Sequence, residues 1–304
     1  MSKVVATTKT ASSNQPLLVV LQKLKDYQQL VKFRLSGLVV FSAVMAYMIA
    51  SQGAVPLLGI IVLSLGGFLV TGASNALNQV LERDYDRIMQ RTSDRPLAAG
   101  RMTISEAVMS AGFMSLFGIT LLALFNPWAA LLGTISMIVY AYVYTPLKRV
   151  SSIAVLVGAI PGALPTMIGV VAIEGHISPL ALVLFGIQFL WQFPHFWAIG
   201  WLGHGEYQKA GFRFIPTVNG QPDPQIGWQA FIYALFLIPV SIMPGIMGVS
   251  GLYSSIFVLV LGIVYAYFGW NLYRQGTRKA ATQLMFSSFL YLPLVLVALY
   301  LDKI

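Results

Sequence analysis

Cysteine is absent from the 304 residues, which excludes disulfides, thiolate metal centres and cysteine nucleophiles. Charge is scarce too. Asp, Glu, Lys and Arg make up 10% of the chain against 57% hydrophobic residues, and the mean hydropathy of +0.76 lies far above that of a soluble domain. The chain is therefore predicted to be a membrane protein. Its apolar runs are continuous and lack the alternation of barrel strands, so the predicted class is all-α and polytopic. A span needs about 20 mostly apolar residues. Nine stretches qualify, at roughly 35 to 52, 55 to 81, 105 to 125, 127 to 145, 150 to 172, 179 to 203, 228 to 248, 251 to 272 and 283 to 301. The opening MSKVVATTKTASSNQ lacks the apolar core of a signal peptide and reads as a short, disordered, uncleaved tail. The expected organisation is a polar tail and lead-in over 1–33 and one transmembrane domain over 34–304.

Acidic residues are the scarcest charges, ten against nineteen Lys and Arg. Eighteen of the nineteen basic residues fall in the amino-terminal lead-in and the even-numbered loops, leaving only Lys303 for the other side. The positive-inside rule then makes the amino terminus cytoplasmic and the carboxyl terminus periplasmic or extracellular. The net charge of +9 reflects this topology and attraction to anionic lipid, not nucleic-acid binding. With no transit peptide before the first span, the expected location is a prokaryotic plasma membrane.

Orientation needs only basic residues, so the acids in NALNQVLERDYDRIMQRTSDR (75–95) call for another explanation. Asn78, Glu82 and Asp86 stand at i, i+4, i+8 on one helix face, with Asn75 a turn earlier, while Asp84 points elsewhere. Two carboxylates and an amide oxygen suit a hard cation such as Mg²⁺. The neighbouring stripe of Arg83, Arg87 and Arg91 suits phosphate oxygens. The alternative is a solvated helix end with intrahelical Glu–Arg pairs.

A second polar island occupies GIQFLWQFPHFWAIGWLGHGEYQKAGFRFIPTV (186–218). Gln188, Gln192 and His195 share a face, and Pro194 can free a backbone carbonyl toward it. His195 can equally be an interhelical hydrogen-bond donor, and Tyr207 an interfacial anchor. Between the islands, YAYVYTPLKR places Tyr144 and Lys148 at i, i+4, readable also as an aromatic belt with a topogenic lysine.

NALNQVLERDYDRIMQRTSDRPL resembles the first Asn/Asp-rich motif of the UbiA-type intramembrane prenyltransferases, an Asn with acids at +4 and +8, here Asn78, Glu82 and Asp86. The resemblance covers nearly the whole chain. RDYDRIMQRTSDRPL, YTPLKR, WQFPHFWAIG and EYQKAGFRFIP are most similar to the protoheme IX farnesyltransferase (haem O synthase) branch. Glu82 and Glu206 replace the aspartates commonest in that branch, and both keep the carboxylate. The resemblance implies nine helices enclosing a central cavity open to the membrane and the cytoplasmic face. It implies transfer of the farnesyl group of farnesyl diphosphate to a vinyl group of haem B, with water adding, to give haem O and diphosphate. Mg²⁺ would be held by Asn78, Glu82, Asp86 and Glu206, with His195 facing the haem. Asn75, Arg83, Arg87, Arg91, Tyr144, Lys148, Gln192, Phe196, Trp197, Tyr207 and Arg213 are the expected substrate contacts, and Phe193 joins the expected cavity wall. Haem A synthase and oxidase assembly proteins are candidate partners beside membrane lipid.

Two alternatives compete. A prenyltransferase acting on a quinone precursor or another aromatic acceptor would share the first motif, but PHFW stands where that branch carries an aspartate triplet. A transporter would more naturally show inverted-repeat halves and mid-membrane charge.

Overall fold

The computed structural model describes residues 15–304, with side chains described from residue 17. The tail expected over 1 to 15 lies outside the described residues apart from Gln15. The rest of the expected lead-in is α1 (Gln15–Leu30). There follow α2 (Phe33–Ala50), α3 (Leu57–Asp86), α4 (Ile104–Ala123) and α5 (Pro127–Ile138). A π-helical segment (Val139–Tyr144) joins α5 to α6 (Thr145–Leu147). Then come α7 (Ala154–Glu174), α8 (Pro179–Leu202), a short α9 (His204–Lys209), α10 (Gln225–Ile246), α11 (Leu252–Gln275) and α12 (Arg278–Leu301). Between α9 and α10, β1 (Thr217–Val218) and β2 (Gln221–Pro222) pair antiparallel. Their Asn219–Gly220 turn has both φ angles positive, at 50° and 76°, the backbone that a two-residue hairpin requires.

Nine helices among the described residues are long and apolar enough to span a membrane, with α5 to α6 counted as one. The largest departures from the expected bounds are α3, which runs to Asp86, and α12, which starts at Arg278. α3 persists because its polar end is buried against protein: Asn75, Asn78, Gln79, Glu82 and Asp86 are all buried. α12 begins earlier because Thr277 caps it, accepting from the Ala280 N–H. Asn126 and Ser178 likewise cap α5 and α8, each followed by a proline, which has no N–H to leave unsatisfied in the first turn.

α7 is the most enclosed span and packs against α2, α5 and α8; α8 also meets α10 and α12, and α12 reaches back to α2. The outer surface is apolar, with Leu57, Phe117, Phe236 and Ile246 exposed, as lipid requires. At one end the basic loops interlock. Arg91 meets Tyr207, Arg149 meets Tyr85, Arg213 N–H donates to the Lys148 carbonyl, and Arg278 donates to the Leu202 carbonyl. Lys303 lies at the opposite end, donating to Met48 O.

Candidate active site

The site is built on the elbow between α1 and α2. Gln79 Nε2 donates to the carbonyls of Gln29 and Leu30, both at 2.9 Å, and Asn75 Nδ2 donates to the Val31 carbonyl at 3.2 Å. These side chains of α3 satisfy carbonyls that the end of a helix leaves without partners. The chain then turns through Lys32, whose backbone is left-handed at φ 48°, ψ 58°, a conformation costly for any residue but glycine. The turn aims the Lys32 ammonium inward, where it donates to Asn78 Oδ1 at 3.0 Å.

Around Asn78 the carboxylates and cations converge. Asn78 Nδ2 donates to Glu82 Oε2 at 2.9 Å and to Thr145 Oγ1 at 3.0 Å. Lys148 forms an ion pair with Glu82 Oε1, yet without the alignment of a hydrogen bond, so this buried oxygen has charge nearby and no donor. Arg95 Nη1 grips both Asp86 oxygens, at 2.7 and 2.8 Å. Asp84 points away into exposed pairs with Arg83 and Arg87, as its position off the stripe predicts. Lys32 has its pKa pushed down to about 7, first by burial and then by the positive charge of Arg95 and Lys148.

The π-helical segment sets the opposite wall. Its wide turn lets Thr145 Oγ1 donate to the carbonyl of Tyr140, five residues back, at 2.8 Å. π-turns of this kind recur at functional sites. Tyr140 and Tyr144 pack at a tilt of 38° with ring centroids 5.3 Å apart, and Lys148 Nζ stands 4.9 Å over the Tyr144 ring. Gly158 on α7 leaves room for that ring: a Cβ there would lie 2.6 Å from it. Gly162 does the same for Gln192 Oε1, with a Cβ only 1.9 Å away.

Below the charged cluster lies an apolar cavity of ≈ 510 Å³. Asn75, Tyr140 and Tyr144 form its polar end, and Gln188, Gln192, His195 and Phe196 of α8 line its depth. Gln188 donates to the Gly162 carbonyl and Gln192 to the Ala159 carbonyl, so the shared face expected on α8 rests on α7. His195 stacks on Trp191 with centroids 4.8 Å apart, and its Nδ1 is 2.7 Å from Ser288 Oγ. Beside Pro194, the Trp191 carbonyl accepts from Tyr265 OH on α11.

Several expected site residues lie elsewhere. Glu206 stands on α9, beyond the long α8, and accepts from the Arg91 backbone N–H at 3.3 Å. Among the described residues no three His, Asp or Glu side chains converge as a metal-holding group. Arg83 and Arg87 are diverted by Asp84 and the Ala98 carbonyl. Arg91 and Tyr207 hold each other at 2.8 Å and line a different cavity with Glu206. Arg213 faces a third hollow, of ≈ 460 Å³, bounded by Phe212 and Pro216. Trp197 and Phe193 sit on the side of α8 facing α10, both packed on Tyr233, at 5.2 and 4.4 Å. One helical position separates Phe196 from Trp197, and that is enough to change faces.

The sequence reading missed Lys32, Arg95, Thr145 and Tyr140. Arg95 carried a signal, since RTSDRPL follows the acidic helix closely. Lys32 carried none, because its role depends on the elbow.

The model of the UbiA prenyltransferase family matches residues 39–292. The chain is 43% identical over 279 residues to a protoheme IX farnesyltransferase of Cytophaga hutchinsonii, covering 91% of this chain and 97% of that protein. Among solved structures, it superposes on a digeranylgeranylglyceryl phosphate synthase with TM-score 0.78 at 18% identity, covering 92% of this chain and 98% of that one. It also superposes on a UbiA homolog from Archaeoglobus fulgidus bound to DMAPP and Mg²⁺, with TM-score 0.67 at 17% identity, covering 90% and 99%.

Proposed function

This chain belongs to the UbiA prenyltransferase family, and we propose that it transfers the farnesyl group of farnesyl diphosphate to a vinyl group of protohaem IX. Water adds in the same reaction, and the products are haem O and diphosphate. The observation that carries the prenyl half is the buried stripe of Asn78, Glu82 and Asp86, faced by Lys32, Arg95 and Lys148 at the end of an apolar cavity. The acceptor is assigned from the likeness to the Cytophaga enzyme.

An amide and two carboxylates, one with a donorless buried oxygen, fit a hard oxygen-seeking cation. Mg²⁺ bound by Asn78, Glu82 and Asp86 would supply charge neutralisation to a prenyl diphosphate. The chain's own cations do the rest of the electrostatic work. When the C1–O bond breaks, its electron pair leaves with diphosphate, where Lys32, Lys148 and Arg95 stabilise the growing negative charge. Tyr140, Tyr144 and Phe196 turn aromatic surface toward the allylic cation and keep early water from it. The vinyl terminus then bonds to C1, water oxygen bonds to the adjacent cationic carbon, and one proton is released.

The basic end faces the cytoplasm and the carboxyl terminus the periplasm of a bacterial inner membrane, where haem O becomes available to haem A synthase or oxidase assembly proteins. The test incubates purified protein with haem B, farnesyl diphosphate and Mg²⁺ and analyses the haem by mass spectrometry. A product heavier than haem B by one farnesyl group plus hydroxyl is expected; unchanged haem B would overturn the reading.

A further inference from the structure

Glu206, Arg91 and Tyr207, absent from the diphosphate cluster, line a second cavity of ≈ 730 Å³ between the α8–α9 corner and α12. Its wall carries three cations, Arg91, Lys209 and Arg278, against the single acid Glu206. None of the three is in an ion pair among the described residues. Arg91 is held by the Tyr207 hydroxyl and Arg278 by the Leu202 carbonyl at 3.1 Å, both neutral acceptors that leave the guanidinium charge unspent. Apart from Gln90 and Tyr207, the remaining wall is apolar or glycine and includes Ile199, Leu202, Met285 and Phe289.

Phe289 also lines the cavity that runs to the diphosphate cluster, and it meets the His195 ring edge-on at 5.2 Å. One side chain thus divides a cation-rich chamber from the prenyl chamber. A flat, apolar acceptor with two carboxylates on one edge and its reacting carbons on another matches that sequence of environments.

We propose that the 730 Å³ cavity is the acceptor's carboxylate site. Lys209 and Arg278 bind the two propionates of protohaem IX there, with Arg91 adding charge at the rim, and the porphyrin passes Phe289 so that its vinyl edge meets the prenyl chamber. This assignment rests on the acceptor being a porphyrin, as proposed above. It places Arg91 and Tyr207 with the acceptor rather than with the diphosphate.

The test titrates purified protein with protohaem IX and with its dimethyl ester, which keeps ring and vinyls but loses both negative charges, following the Soret band. Wild type should bind the free acid roughly tenfold or more tighter, the discrimination that about 1.4 kcal/mol provides. Lys209→Met combined with Arg278→Met should abolish that preference, binding the acid as weakly as the ester, while KM for farnesyl diphosphate stays within about twofold. Lys209→Met alone, which removes no hydrogen bond of the fold, should lose part of the preference. Equal wild-type affinity for acid and ester, or full discrimination in the double variant, would overturn the assignment. The same preparations are assayed for haem O. Product without acid preference refutes this site alone, whereas acid preference without product refutes the transferase reading and leaves a porphyrin dicarboxylate site.

Discussion

Replacing Lys32 by glycine should make the protein more stable and nearly inactive. Lys32 is one of two non-glycine residues with positive φ among those described, and the left-handed conformation costs such a residue about 1–2 kcal/mol. Glycine removes that strain, returns about 0.5–1 kcal/mol of it to the freer unfolded chain, and removes a buried amine. The backbone effects alone net to a gain of about 1 kcal/mol, to which removal of the amine adds at neutral pH. The charge effect has its own pH signature. In the fold the Lys32 pKa is about 7, below the ordinary lysine value of 10.5. Between those values the unfolded chain binds the extra proton, so the Lys32 contribution makes stability rise with pH, by at most about 1.4 kcal/mol per unit. The advantage of Lys32→Gly should therefore be largest near pH 7 and shrink toward pH 10. Activity should fall by about 10²-fold or more, the loss usual for one preorganised group facing developing charge. Thermal unfolding in detergent across that pH range, paired with haem O formation, tests both halves. Lys32→Gly destabilised at pH 7, or active within a few fold of wild type, would refute the account of the elbow.

Asp86→Asn and Glu82→Gln should each lower turnover by at least about 10²-fold while the protein still inserts, because each removes an anionic oxygen suited to the metal. Normal rates at limiting Mg²⁺ would reject the site. Gly158→Ala drives a Cβ to 2.6 Å from the Tyr144 ring, so melting should show a loss of about 1–3 kcal/mol together with slowed transfer; an unchanged melting curve would mean that the ring moves freely. Trp197→Phe should leave the KM for farnesyl diphosphate unchanged and Phe196→Ala should raise it several fold, since only Phe196 faces the cavity; the opposite ranking in a radiolabelled transfer assay would reverse the two faces of α8.

How much of this was legible depended on how local the cause was. The nine spans were readable because lipid demands long apolar runs and helical capping is encoded within a few residues, as at Asn126–Pro127 and Ser178–Pro179. The stripe of Asn78, Glu82 and Asp86 was readable because helical spacing alone puts those side chains together. Cation assignments failed where partners come from distant segments. Arg83 and Arg87 share the helix end with the acids, but Asp84 takes them, and Arg95 arrives nine positions later to grip Asp86. Glu206 looked like a second metal carboxylate by its place in a motif. Its position depends on how α9 turns after α8, which periodicity does not report.

The partners of the acidic stripe also explain how so much charge is held at a membrane protein's inner end. Three cations, Lys32, Arg95 and Lys148, face two carboxylates, Glu82 and Asp86. An excess of buried positive charge is unfavourable, and the group with the easiest release is the amine, not the guanidinium. The Lys32 pKa is depressed first by burial, and the positive charge of Arg95 and Lys148 adds to it. A magnesium prenyl diphosphate is a net anion, so its arrival offsets the repulsion from Arg95 and Lys148 and favours the charged ammonium. The cluster is therefore balanced for the loaded site and not for the empty one. The strained elbow that holds Lys32 in place is a further part of the same compromise between stability and function.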